Sequence, residues 1–486
     1  MPLARRTWIT LGAIALVVVL VLAMLLSRPG AEGADPAGDP AAGSSGLGDP
    51  YLPEAGGGGY DVQDYDVAIR VSGANQDLQG RATLTARALQ DLDRLHLDLY
   101  LGALAVSVND RPASFEQQGD DLAVIVDRTQ PDVPAIRAGA TFTVTVDYAG
   151  RPGEDGPAEP SPHYTAGDEF VIVGEPVSAS LWFPSNDHPR DPATMTFSVT
   201  VPRGVEAICA GLLVGNDPDP DDPASERWVW RLDTPTVTYA TFLAVGQYRV
   251  ERGTAGERPF VYAVSTRLSR ADQERALKWL AGTPAAVAKL ETYLGPYPFK
   301  GLGGIVPGTQ FRWGGIEAAM RPVYHNGMIG SQWLLNHELA HMWFGNTVTL
   351  TEWNDMFNNE SLTSYFEWLT SGDSTPGRLF DRLYWGRATD RAFWGPALSD
   401  VGLDRLFERV YDRGPLVVHA LRTRMGDTEF FAFIKTWAQQ SGPRSLEDFR
   451  RAADDATAED LTDFFAEWLD QTDRPEPTAA NGVPGR

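Results

Sequence analysis

The sequence predicts an α+β chain: an antiparallel, β-rich N-terminal domain, then a mostly helical domain, both behind an N-terminal transmembrane helix. Three observations predict it. Apolar and polar residues alternate with period two from Tyr60 to about residue 250, amphipathic segments of helical length follow, and nineteen consecutive uncharged residues lie near the start. Strands first and helices second imply two consecutive domains rather than an alternating parallel sheet. With 486 residues, 43 % of them hydrophobic, the chain is long enough to bury two cores.

Taken in order, residues 1–7 form a short stub containing the basic "ARR", and residues 8–26, "WITLGAIALVVVLVLAMLL", follow. A helix of that length spans roughly 28 Å, close to the hydrocarbon thickness of a bilayer. Arg5 and Arg6 orient it with the stub in the cytoplasm, so the expected location is the cell membrane, single-pass, with the rest of the chain extracytoplasmic. Secretion after cleavage of this segment as a signal is the alternative. Residues 27–58 are dominated by Gly, Ala, Pro, Ser and Asp and read as a flexible linker.

Residues 59–250 contain the strand-like runs, among them "YDVQDYDVAIRVSG", "TFTVTVDYAG", "TMTFSVTVP" and "RWVWRLDTP". Residues 251–471 hold the helices, opening with "SRADQERALKWLAGTPAAVAKLETYLG", where Gly282 and Pro284 are expected to interrupt. Two short strand candidates, "GLGGIVPG" and "GGIEAAMRPVYH", come next, and further helices run to about residue 470. The last fifteen residues, 472–486, read as a disordered tail.

Composition excludes several functions. A net charge of −24 repels nucleic acid and anionic lipid, and no basic stripe offsets it. Cys209 is the single cysteine, so neither an intrachain disulfide nor a cysteine metal cluster can form. Any transition-metal site must use histidine and carboxylate.

Such a site is suggested by "NHELAHMWFGN", residues 336–346. His337 and His341 are four apart, so on a helix both imidazoles face one point, with Glu338 beside them and able to act on a metal-bound water. Two buried, hydrogen-bonded helix histidines are the alternative. A catalytic zinc has three protein ligands and one open position. Glu360, nineteen residues after His341 and near the start of the next predicted helix, completes a His₂Glu set if the two helices pack antiparallel. Alone, Glu360 reads first as a solvated carboxylate at a helix start; beside the histidine pair the ligand reading is the better one.

"HELAHMWFGNTVTLTEWNDMFNNESLTSYFE" resembles the zinc-site segment of the aminopeptidase N and leukotriene hydrolase family of metallopeptidases, with His-Glu-x-x-His, eighteen residues and then Glu. "ASLWFPSNDHPRDPATMTFSVTVP" and "RVYDRGPLVVHALR" resemble two flanking segments of the same family. The resemblance implies a thermolysin-like catalytic domain, one catalytic Zn2+, and peptide substrates with a free N-terminus. It implies Glu338 as general base and Tyr411 as the hydroxyl that stabilises the oxyanion. "GGIEA", residues 314–318, is similar to the family's Gly-x-Met-Glu-Asn motif. That similarity assigns substrate binding to Gly314 and Gly315 and anchoring of the substrate ammonium to Glu317. Glu175, eight residues before Phe183, falls on a second amine-contacting position.

Three positions depart from the pattern: Ile316 for Met, Ala318 for the usual Asn, and Ser361 for the Gly after the zinc glutamate. The family's long helical C-terminal domain has no counterpart, which implies a minimal two-domain form. Another zinc hydrolase, an endopeptidase included, and a degenerate surface binding protein are the rival readings; retention of all three ligands, Glu338 and Tyr411 speaks against the latter.

Overall fold

A computed structural model describes residues 42–72, 76–126, 136–153, 163–372 and 374–483. The expected transmembrane segment, residues 8–26, lies outside the described residues. Among those described, no helix is long and apolar enough to cross a membrane.

The alternating segments form a ten-stranded sheet at whose centre Tyr60–Ser72 pairs antiparallel with Asp77–Ala88 and parallel with Ala193–Pro202. Its inward positions are Val62, Tyr65, Val67, Ile69 and Val71, all buried, so the period-two pattern faces a core as expected. The parallel pair is the exception to an otherwise antiparallel expectation: the two strands are far apart in sequence, so no hairpin constrains their direction. A second sheet of four strands includes Glu169–Val173 and Phe242–Gly246, buried throughout. Cys209 lies at its edge, buried, with its thiol held well above the ordinary range by burial.

The helical part is built on a five-stranded mixed sheet, ordered Tyr248–Ala255, Arg258–Ser265, Leu302–Val306, Val323–Tyr324 and Gly315–Ile316. Gly315–Ile316 is the last strand, so one of its edges is unpaired. The long amphipathic segment breaks as its glycine and proline require. Arg270–Leu280 is capped by the Ser269 side chain, and Thr283–Leu294 follows with Pro284 in its first turn. Gln332–Ala340 is buried from Leu334 onward and packs against Leu362–Thr370.

Two compositional expectations fail. Residues 42–58, read as flexible linker, are packed. The Asp49 carboxylate, buried, accepts hydrogen bonds from the amides of Tyr51 (2.8 Å), Leu52 (3.0 Å) and Trp353 (2.8 Å) and meets His188 Nε2 at 3.1 Å. Burial raises that carboxyl, and His188 with the three amides outweighs it, holding Asp49 below the usual range. The Tyr51 hydroxyl donates to Asp400 Oδ1 (2.6 Å) and accepts from the Gly402 amide (2.9 Å). A few polar anchors thus hold a segment too poor in apolar residues to advertise a core.

Residues 472–483, read as disordered tail, are also docked. Tyr384 donates to the Pro475 carbonyl at 2.5 Å, Trp468 Nε1 donates to the Asn481 carbonyl at 3.1 Å, and Val483 is buried. The buried Arg413 guanidinium donates to the carbonyls of Trp394, Pro396, Trp468 and Gln471, tying the loop before Gly414 to the segment that leads into this tail.

Candidate functional site

The site forms where Gln332–Ala340, the segment Phe357–Thr370 and the edge strand Gly315–Ile316 meet. The helix carrying the histidines has Asn336, His337 and Glu338 among its buried residues. Burying polar groups this way is costly unless they are paired or bind something. His341 caps the helix, and Glu360 follows on a π turn, Phe357–Ser361, that leads into Leu362–Thr370. Single wide turns of this kind concentrate at functional positions.

The three expected ligands converge. His337 Nε2 and His341 Nε2 are 3.1 Å apart, and Glu360 Oε2 lies 3.3 Å from the first and 3.5 Å from the second. Ligand atoms placed 2.0–2.1 Å from a tetrahedral zinc stand about 3.3 Å from one another, so the spacing fits. Glu360 Oε2 is buried and has no hydrogen-bond partner, an arrangement that a cation relieves. Burial opposes the ionisation of all three, yet the imidazoles hold Glu360 well below the ordinary range, and the surrounding carboxylates raise His341 to about 9. Carboxylates thus surround the two imidazoles. The site suits a divalent cation.

Glu338 stands beside this set. Its side chain is buried, and burial pushes its carboxyl up to about 8 against the pull of His337 and His341. A Cβ on Gly315 would sit 2.4 Å from Glu338 Oε1, so the glycine keeps the space in front of that oxygen open. Gly314 accepts a hydrogen bond from the His325 amide at 2.8 Å, fixing the approach to the edge strand.

Glu317, buried, has a carboxylate oxygen 3.9 Å from His341 Nδ1. Glu175 reaches the same place from the other side: Glu175, Glu317 and Glu360 each bring a carboxylate oxygen within 4.8 Å of the others. Glu175 Oε1 is buried without a hydrogen-bond partner, and its carboxyl is raised well above the ordinary range by burial and then by Glu317, Glu360 and Glu338. Tyr411 completes the circle, its ring 5.8 Å from that of His337. Burial and these carboxylates keep the phenol protonated, hence a donor. His337, His341, Glu360, Glu338, Glu317, Glu175, Tyr411 and Gly315 therefore lie at one place.

Two neighbours were not singled out from the sequence. Asn359 contacts His341 Nδ1, and Glu367, seven residues after Glu360, places Oε2 3.4 Å from His337 Nδ1. A carboxylate or carbonyl behind a ligating imidazole orients it and raises its basicity. The seven-residue spacing on a predicted helix was the one available clue to Glu367.

Residues 330–468 match the peptidase family M1 domain. Leukotriene A-4 hydrolase of Xenopus laevis is 23 % identical over 80 % of this chain and 66 % of its own length. Aminopeptidase N of Lactococcus lactis is 22 % identical over 85 % of this chain and 51 % of its own length. The chain thus spans between half and two thirds of these curated relatives. In the crystal structure of the M1 zinc metallopeptidase from Deinococcus radiodurans, at 25 % identity and a TM-score of 0.77, the match covers 89 % of this chain and 99 % of that one. A variant of that enzyme was solved with a Tyr-Ser-Ala substrate bound.

Proposed function

This chain carries a peptidase family M1 domain, and from that premise we propose that it is a zinc-dependent aminopeptidase hydrolysing the N-terminal peptide bond of peptides. The observation that carries the reading is the pair of carboxylates, Glu317 and Glu175, gathered beside the His337–His341–Glu360 set without belonging to it. An ammonium entering a partly dry cleft needs such partners, because an unpaired buried charge costs several kcal/mol (of order). An endopeptidase has no use for them.

His337, His341 and Glu360 hold the zinc, which when bound supplies a Lewis acid and makes water nucleophilic near neutral pH. Glu338 takes the proton from the attacking water on a carboxylate oxygen and passes it to the departing amine nitrogen. Tyr411 donates its hydroxyl hydrogen to the oxygen on which negative charge develops. Glu317 and Glu175 receive the substrate ammonium and so fix the scissile bond one residue from the N-terminus. Gly314 and Gly315, on the free edge of the sheet, let the substrate backbone lie close to Glu338.

Purified chain, assayed on a panel of aminoacyl amide reporters, is expected to release the reporter, to stop when a strong chelator removes metal, and to recover with added zinc. Activity indifferent to chelation contradicts the reading. The uncharged run at residues 8–26 supports membrane anchorage with the catalytic part outside, testable by fractionation of the full chain: protein found only in the soluble cytoplasmic fraction excludes it.

A further inference from the structure

We infer that Asn359 is a positioning residue that joins the amine anchor Glu317 to the metal ligand His341, an inference that rests on the zinc aminopeptidase reading above. Asn359 is fully buried. Its neighbour Asn358 turns the other way, donating to the Arg444 carbonyl at 3.2 Å, while the Asn359 amide sits between two functional side chains. Asn359 Nδ2 lies 3.3 Å from Glu317 Oε1 and 3.4 Å from the Tyr239 hydroxyl; Asn359 Oδ1 lies 2.7 Å from His341 Nδ1.

The chemistry of these atoms fixes the direction of every bond. The amide nitrogen is the donor of the side chain, and it faces Glu317 Oε1 and the Tyr239 hydroxyl. The amide oxygen is then left facing His341, and it only accepts. His341 Nδ1 must therefore carry the proton, with the Phe344 carbonyl (3.2 Å) and the Thr363 hydroxyl (3.3 Å) as weaker alternative partners. With Nδ1 donating to the amide oxygen, Nε2, the nitrogen aimed at His337 Nε2 and Glu360, is the one left to bind a metal. One amide thus orients the amine anchor and selects the ligating tautomer of a zinc histidine.

No other short side chain accepts at one atom and donates at the other. The backbone makes room for it: Gly345 has φ +100°, and a Cβ there would stand 2.3 Å from Asn359 Oδ1 and 2.8 Å from the Tyr239 hydroxyl.

The test compares zinc affinity, by competition with a chromophoric chelator, in the full chain and in two variants. Asn359→Leu keeps the volume and loses both bonds; zinc affinity is expected to fall about 10- to 100-fold. With zinc saturating, its KM for a free-amine aminoacyl amide is expected to rise about tenfold while kcat changes less, the size expected when a charged group loses one hydrogen bond. Asn359→Asp keeps the acceptor for His341, so zinc affinity should stay within about threefold of wild type or tighten. Wild type that binds zinc beside Asn359→Leu that binds it equally well overturns this proposal alone. So does folded Asn359→Asp that loses zinc, a result that remains decisive if the leucine variant does not fold. An unchanged KM in Asn359→Leu overturns the link to Glu317. A wild-type chain that takes up no zinc overturns the underlying reading, and this proposal with it.

Discussion

Glu338 adjoins the metal ligands without belonging to the His337–His341–Glu360 set, so its loss should separate metal binding from turnover. Glu338→Gln is expected to retain one zinc per chain while turnover falls by on the order of 10³, the weight of a general base; metal analysis and steady-state kinetics on one preparation check both halves. Tyr411→Phe removes a single donor and should cost about 10²–10³ in kcat with zinc retained. At this scale the sequence was informative where chemistry depends on spacing along a helix. His337 and His341 needed only a 3.6-residue period, and Glu360 needed a zinc with three ligands. Asn359 was illegible. Its role arises only because the π turn sets consecutive side chains on the two nitrogens of one imidazole, Asn359 on Nδ1 and Glu360 on Nε2.

At the scale of elements, periodicity located the strands of the large sheet and the division of the first long helical segment, because each depends on local sequence alone. Direction of pairing did not follow, as the parallel contact between Tyr60–Ser72 and Ala193–Pro202 illustrates. Nor did the packing of residues 42–58, since a run of glycines beginning at Gly56 and scattered alanines describe a flexible coil as readily as a strap held by Asp49 and Tyr51. That strap touches His188 in the β-rich part, Trp353 just before the π turn, and the Asp400–Gly402 loop that leads toward Tyr411. Asp49→Ala would leave three amides and a buried imidazole without their acceptor. It is expected to destabilise the chain by about 2–4 kcal/mol, read as a lowered midpoint in denaturant unfolding; an unchanged midpoint would show the strap to be dispensable.

For the molecule as a whole, acid sensitivity follows from a partly buried histidine held in its neutral form. His419 packs against the Tyr365 hydroxyl (3.1 Å) and the Phe380 ring, with Arg422 nearby, and burial followed by that arginine lowers it to about 4. An unfolded chain returns it to about 6.5. Above that pH both states are neutral and the contribution is complete. As pH falls from about 6.5 toward 4 the unfolded state takes up a proton that the folded state refuses, and stability is lost. Asp187, raised to about 7 chiefly by burial, acts in the opposite sense: its folded form keeps a proton that the unfolded form releases, so it favours folding as pH drops. His419→Gln isolates the histidine. Its stability should decline between pH 7 and pH 5 by about 1–2 kcal/mol less than that of wild type; parallel declines would place the acid sensitivity elsewhere.

On the proposed reading, the two imidazoles and three carboxylates gathered at one point serve to cut next to a free amine. The most direct test is the ratio of kcat/KM for a peptide with a free N-terminus to that for the same peptide N-acetylated, in wild type and in Glu317→Gln. The wild-type ratio is expected to exceed about 10², the worth of a charge paired in a partly dry cleft, and to collapse toward unity in the variant. Equal rates on both peptides in wild type would contradict the assignment of Glu317 and Glu175 as the amine anchor and, with it, aminopeptidase action.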